Sequence, residues 1–271
     1  MLRYLLALLL SLFTIRGGGL CLGEARADTL PSGDVQPPPV PRQEKTQTKF
    51  IEWSTSNLQY LYGFNWDLGK ATRDTLTLEH ADAWRYGDNY FFLDVYNLAE
   101  HDRELGDAVY YGELHPRFSL NKIFERDLSY KRIKEVLISN EFTFAEGFLT
   151  HSTGVGFSVA LSHFDFANVN FLMKDNVDQD GVTWQVILDW SVPFTIHGLK
   201  LSCGGYIDVA GPEGNLSWTT YSDIQLLLDV GTFFNYHNRL FAGVEFRYIR
   251  NEFGIPDQEE FVPQPMVKWT F

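Results

Sequence analysis

Cysteine is almost absent from this chain. Only Cys21 and Cys203 occur in 271 residues. Cys21 falls in the N-terminal leader, so Cys203 stands alone beyond it. An intrachain disulfide and a zinc site built on cysteines are therefore excluded. A secreted chain without disulfides needs another constraint, and a closed hydrogen-bonded sheet would supply one. Long apolar runs are missing too. Past the leader no stretch of about 18 apolar residues exists, which excludes a transmembrane helix; mean hydropathy is −0.17. Basic residues are in deficit, with 22 Lys and Arg against 35 Asp and Glu and a net charge of −13. Such a chain repels phosphate backbones, so nucleic acid is not an expected partner. Catalytic signatures are also lacking: no G-x-S-x-G, H-E-x-x-H or Walker sequence occurs. No metal or cofactor is expected.

What the chain has is aromatic residues: 22 Phe, 13 Tyr and 7 Trp, or 15%. That level suits girdles of rings at two membrane interfaces. The first residues read as a secretory signal. Arg3 gives a positive start, Tyr4 to Ile15 an apolar core, and Ala25-Arg26-Ala27 a cleavage site before Asp28. Residues 1–27 are the expected signal peptide. Residues 28–49 carry Pro31, Pro37, Pro38, Pro39 and Pro41; this is an expected extended periplasmic linker, because such a stretch cannot pair as a strand. Residues 50–271 form the remaining domain.

In that domain segments of about ten residues alternate in hydrophobicity between turn signals. In Gly181 to Val192, Val182, Trp184, Val186, Leu188, Trp190 and Val192 share one face. Thr183, Gln185, Asp189 and Ser191 share the other, with Ile187 the exception. A helix would scatter Asp189 among the tryptophans, whereas a strand sets it opposite them. Twelve such segments are expected, near 57–67, 75–84, 89–98, 110–119, 135–144, 153–162, 165–174, 181–192, 199–209, 220–230, 240–249 and 262–271. The fold class is all-β: a twelve-stranded transmembrane antiparallel β-barrel in the outer membrane of a Gram-negative bacterium, in contact with lipid and lipopolysaccharide. A soluble sandwich or lipocalin-like barrel also has one apolar face. The mid-strand charges Glu113, Arg117, Glu141, Asp189, Asp208, Asp223, Glu245 and Arg247 argue instead for a polar interior.

One run carries a family likeness. His115-Pro116-Arg117-Phe118-Ser119-Leu120 continues through Asn121-Lys122-Ile123 and Asp127-Leu128-Ser129 to Lys134-Glu135 and Asn140-Glu141-Phe142. Arg73-Asp74-Thr75 before Leu78-Glu79, and the aromatic stretch Asn89 to Asn97, add to it. This resembles the nucleoside-specific channel-forming outer-membrane protein family (Tsx, with the OmpK-like proteins). The resemblance implies a twelve-stranded barrel and the passage of small solutes, nucleosides first. Its specific motifs lie within residues 73–145, and it carries fold more safely than substrate.

A nucleoside pore needs rings to stack on bases and polar groups to bond the ribose. Tyr90, Phe92, Asp94 and Tyr96 share one face, and Asp94 prefers the lumen. Alternatively, the tyrosines belong to a girdle. Glu113, His115, Arg117 and Glu141 are the other lumen candidates; mixed acids and bases there also pair with one another and fill the space. Two other functional classes stay open. A receptor or adhesin would work through external loops near 68–74, 99–109, 145–152, 175–180, 210–219 and 250–261. A barrel hydrolase would need a Ser-His pair, but in His151-Ser152 neighbouring strand residues point to opposite faces.

Overall fold

The computed structural model describes residues 50–68, 70–97 and 110–271. The expected signal peptide, linker and loop 99–109 lie outside the described residues. Twelve strands follow in order: β1 Ile51–Phe64, β2 Thr72–Trp84, β3 Gly87–Tyr96, β4 Tyr110–Ser119, β5 Ile133–Ala145, β6 Phe148–Val159, β7 Phe166–Asn176, β8 Thr183–Ile196, β9 Leu199–Ala210, β10 Thr219–Leu228, β11 Leu240–Arg250 and β12 Glu259–Thr270. Every strand pairs antiparallel with its sequence neighbours, and β1 pairs with β12, closing the barrel. Closure satisfies the backbone of each strand and leaves no sheet edge, the condition for crossing a lipid phase with strands. No helix among the described residues is long and apolar enough to cross a membrane.

The alternation resolves into two walls. Leu58, Tyr60, Tyr62 and Phe64 of β1 face outward and are exposed, whereas Asn57, Gln59 and Leu61 between them are buried inside. Aromatics gather outside both rims. Phe50, Trp84 and Phe118 cluster at the end where the barrel's first and last strands begin and finish, the near end. Phe246 stacks on Phe261 toward the far end. Ile187, the exception in β8, is an inner residue that pairs with Asn170 and Asp208 and is buried there. The inner wall is thus not uniformly polar; Leu61, Leu227 and Met266 form a small apolar cluster within it, with Phe241 against them.

Hairpin chemistry sets the turns. His197 and Gly198 join β8 to β9 with φ of 50° and 83°. Both centres being left-handed is what a two-residue turn matched to strand twist requires, and glycine takes the second at no steric cost.

Two expectations need correction. The loop placed at 145–152 is only Glu146-Gly147, and residues 148–152 are strand β6, because Gly147 at φ 69° permits an abrupt reversal. Asp175 belongs to β7, and Glu259 and Glu260 to β12, so the loops placed at 175–180 and 250–261 are shorter than expected. Trp190 faces outward by register but is only 9% exposed, unlike Trp184 at 50%. Its cross-strand neighbours are Ala167 and Gly205, which leave room for the indole against the sheet, where its N–H reaches the Cys203 sulfur.

The long connection 120–132 folds at the near end. Leu120–Ile123 form one helical turn, and Ser119 Oγ accepts from the Lys122 N–H at 3.3 Å. Lys122 Nζ then bridges to Glu52 Oε2 at 3.2 Å and the Trp84 carbonyl at 3.3 Å.

Candidate functional site in the lumen

Strand register places every lumen candidate on one continuous inner wall. Reading across β2, β3 and β4, Thr77 lies opposite Asp94, and Asp94 opposite Tyr111; Glu79 opposite Phe92, and Phe92 opposite Glu113; Ala81 opposite Tyr90, and Tyr90 opposite His115. Glu113 pairs next with Thr143 of β5. Between the paired rungs Leu114–Phe142 and Arg117–Ser139, Pro116 lacks an N–H for the ladder; Asn140 Nδ2 donates to its carbonyl at 3.3 Å instead.

The side chains then pair. Thr77 Oγ1 donates to Asp94 Oδ1 at 2.5 Å, and the Tyr96 hydroxyl to Asp94 Oδ2 at 3.3 Å. Tyr90 donates to Glu79 Oε1 at 2.8 Å. His115 Nε2 lies 2.8 Å from Glu113 Oε2, and its Nδ1 lies 3.8 Å from Glu141 Oε2. Arg117 grips both oxygens of Asp88, at 2.6 and 2.9 Å. The rings form a ladder: Tyr90 to His115 at 5.7 Å, Tyr90 to Phe92 at 6.1 Å and Phe92 to Tyr111 at 5.9 Å. Tyr90 and Tyr96 are thus inner-wall residues and not girdle residues. Tyr90 remains 37% exposed while Tyr96 is buried.

Other functional-looking groups line the rest of the wall. The Tyr206 hydroxyl donates to Asp223 at 2.9 Å, and Arg247 lies 3.8 Å from the same carboxylate. Gln225 Nε2 links Gln59 to Glu245, both at 2.9 Å. Lys268 meets Glu79 at 3.0 Å, tying β12 to β2. Their alternation was visible in sequence; which of them meet was not, because contacts across a barrel depend on closure and stagger.

Trp66 carried no periodic signal, since it lies just past the end of β1. It tucks back at the far end, where the Arg73 guanidinium lies 4.2 Å from its ring centroid and that of Arg247 5.6 Å. A side chain on Gly63 would collide with the Trp66 indole, so the tuck requires glycine there. The backbone after Trp66 is held by Glu260 Oε1, which accepts from the Asp67 and Leu68 N–H groups at 2.7 and 2.8 Å. Glu252, in the loop between β11 and β12, is also buried there. Burial, and next to it the neighbouring carboxylate of Glu260, push its carboxyl up to about 7.

A closed barrel with lipid-compatible residues outside and paired charges, amides and rings inside defines a class: an outer-membrane β-barrel built as a channel. The family follows from sequence comparison. A family model described as "Nucleoside-specific channel-forming protein, Tsx" matches residues 48–269, and the chain belongs to that family. Two relatives are named outer membrane protein OmpK. One, from Vibrio parahaemolyticus serotype O3:K6, is 26% identical over 153 residues, 52% of this chain and 58% of the relative. The other, from Vibrio parahaemolyticus, is 26% identical over 199 residues, 69% of this chain and 73% of the relative. The match to the first thus spans less than two thirds of that relative's length. Among solved structures, the KdgM porin in complex with disordered oligogalacturonate has a TM-score of 0.45 at 8% identity, covering 79% of this chain and 99% of that one. The Acinetobacter baumannii outer membrane protein Omp33 has a TM-score of 0.38 at 10% identity, covering 82% and 99%.

Proposed function

We propose that the barrel passes small uncharged or cationic solutes by diffusion, with nucleosides as the preferred class. The observation that carries this is the ring ladder Tyr111–Phe92–Tyr90–His115, set on the same inner wall as Glu79, Asp94, Glu113 and Glu141. Aromatic faces favour flat bases, and carboxylates beside them accept hydrogen bonds from ribose hydroxyls. Tyr90, Phe92, Asp94, Tyr96, Glu113, His115, Arg117 and Glu141 are the proposed solute-facing set. Tyr90 is its most accessible ring, and the buried Phe92 packs beside it at 6.1 Å between centroids.

An enzymatic reading has less support. His151 stacks on Phe142 at 4.6 Å and shares its outward face, whereas Ser152 is fully buried on the inner one. The pair is split by the sheet, as a Ser-His dyad cannot be.

The test is single-channel conductance of refolded protein in planar bilayers, titrated with nucleosides, sugars and fatty acids. Nucleosides should block current in a saturable way, and Tyr90→Ala should weaken that block at unchanged thermal stability. If no solute class blocks the pore and Tyr90→Ala changes nothing, the nucleoside reading fails and a loop-based receptor takes its place.

A further inference from the structure

Deep in the lumen, Glu113, His115 and Glu141 bring two carboxylates and an imidazole together on β4 and β5. One ligand atom from each lies within 4.8 Å of the other two. The two acids are held in a similar way. Glu113 uses Oε1 to accept from the Tyr111 hydroxyl, and Glu141 uses Oε1 to accept from the Thr143 hydroxyl at 3.1 Å. Glu113 Oε2 lies 2.8 Å from His115 Nε2, and Glu141 Oε2, which also accepts from Gln185 Nε2 at 3.3 Å, lies 3.8 Å from His115 Nδ1. Hydroxyls that hold one oxygen of each carboxylate are outer partners of the kind that orient metal ligands.

A second observation comes from the surroundings. Ser152 of β6 is the cross-strand partner of Glu141 on the inner face, is fully buried, and its hydroxyl has no protein hydrogen-bond partner. Gln185, also fully buried, donates through Nε2 to Glu141 and to Asp208 at 2.9 Å, while its own Oε1 and Asp208 Oδ1 stay unpartnered. Buried oxygen atoms without donors carry a desolvation penalty, and three of them lie beside this cluster.

We propose that this cluster is a binding site for one divalent transition cation of the zinc class, held by Glu113, His115 and Glu141 inside the lumen. The imidazole selects against calcium and magnesium, which prefer oxygen alone, and suits zinc. Nothing in the residue pattern points to a metal: Glu113 and His115 alternate like ordinary lumen residues, and Glu141 joins them only through the β4–β5 register. A bound cation would narrow the pore beside Tyr90. The site stands independently of which solute the channel passes.

The test is calorimetric titration of tag-free, chelator-stripped barrel in detergent with zinc chloride, no nucleoside present, and with calcium chloride as comparator. The expected result is one saturable zinc site per barrel, not displaced by excess calcium. His115→Ala and Glu141→Gln should each weaken it at least tenfold, with the heat-modifiable gel shift reporting that the barrel is folded. His237→Ala, on the near-end connection, should leave it intact. Should His115→Ala fail to fold, the near-isosteric Glu141→Gln decides alone. No saturable zinc site in the wild-type protein, or binding equal to wild type in a folded Glu141→Gln barrel, overturns the proposal. Because no nucleoside enters the measurement, either result leaves the nucleoside reading untouched.

Discussion

Leu188 tests the inside-out assignment most directly. It lies on the outer face of β8, between Val169 of β7 and Ile207 of β9. Thr183 starts the strand at the far rim. Five residues at ~3.3 Å each, tilted by ~40°, put Leu188 roughly 13 Å below that rim, about half-way through an apolar band ~25 Å tall. An arginine there must carry its charge into the hydrocarbon midplane, at a cost of about 2–4 kcal/mol. Around 3 kcal/mol is roughly a hundredfold change in the unfolding equilibrium. Ile196 ends the same strand at the near rim and is exposed, so the same substitution there should cost only about 0–1 kcal/mol. The assay is denaturant unfolding of protein refolded into phospholipid vesicles, followed by tryptophan fluorescence and by the gel shift of unboiled samples. Equal costs for Leu188→Arg and Ile196→Arg would refute the argument, because a soluble barrel has no depth-dependent penalty. A Leu188→Arg protein as stable as wild type would refute it as well.

Two predictions concern the far end. Glu252 titrates at about 7 in the folded loop, above the ordinary carboxyl value of 4.5. Its contribution to loop stability is therefore complete below the ordinary value and is lost as pH rises through 7; hydrogen-exchange protection in residues 251–258, taken relative to the intrinsic base-catalysed rate at each pH, should fall from pH 5 to pH 8, and Glu252→Gln should flatten that profile. Trp66 occupies the far mouth between Arg73 and Arg247, so Trp66→Ala should raise single-channel conductance, and an unchanged conductance would place the constriction elsewhere.

Much of the fold was legible because a barrel strand repeats with period two, and period two survives in sequence. All twelve strands lie where alternation put them, and β4 at Tyr110–Ser119 matches to the residue. The starts and stops fared less well. The expected first strand runs on to residue 67, yet Asn65 turns left-handed at φ 63° and takes Trp66 out of the ladder. The β5–β6 hairpin was misplaced because Phe148 to Ser152 mixes polar and apolar residues like a loop. For the candidate site, parity puts Tyr90, Phe92, Asp94 and Tyr96 on one face but leaves open whether the tyrosines belong to a girdle. What parity cannot provide is depth and partner. That Tyr90 pairs with Glu79, that Glu141 approaches His115, and that Lys268 reaches Glu79 depend on register between strands and on closure.

The inner wall also explains how one lumen can be both filled and selective. Carboxylates at Glu79, Asp88, Asp94, Glu113, Glu141, Asp189, Asp208, Asp223 and Glu245 outnumber the inward cations Arg73, Arg117, Lys174, Arg247 and Lys268. Removing one partner of a desolvated pair costs far more than the pair contributes net. The paired set Arg117–Asp88, Lys268–Glu79 and Arg247–Asp223 therefore holds side chains in place and narrows the bore without making it apolar. On the proposed reading, the surplus carboxylates would set the sign of the field that a solute meets, repelling anions and leaving neutral or cationic solutes free to use the ring ladder. A substitution that neutralises an acid with no cation partner, such as Asp94, which is held by the Thr77 and Tyr96 hydroxyls, should shift selectivity ahead of stability, whereas one that breaks the Arg117–Asp88 fork should cost stability first.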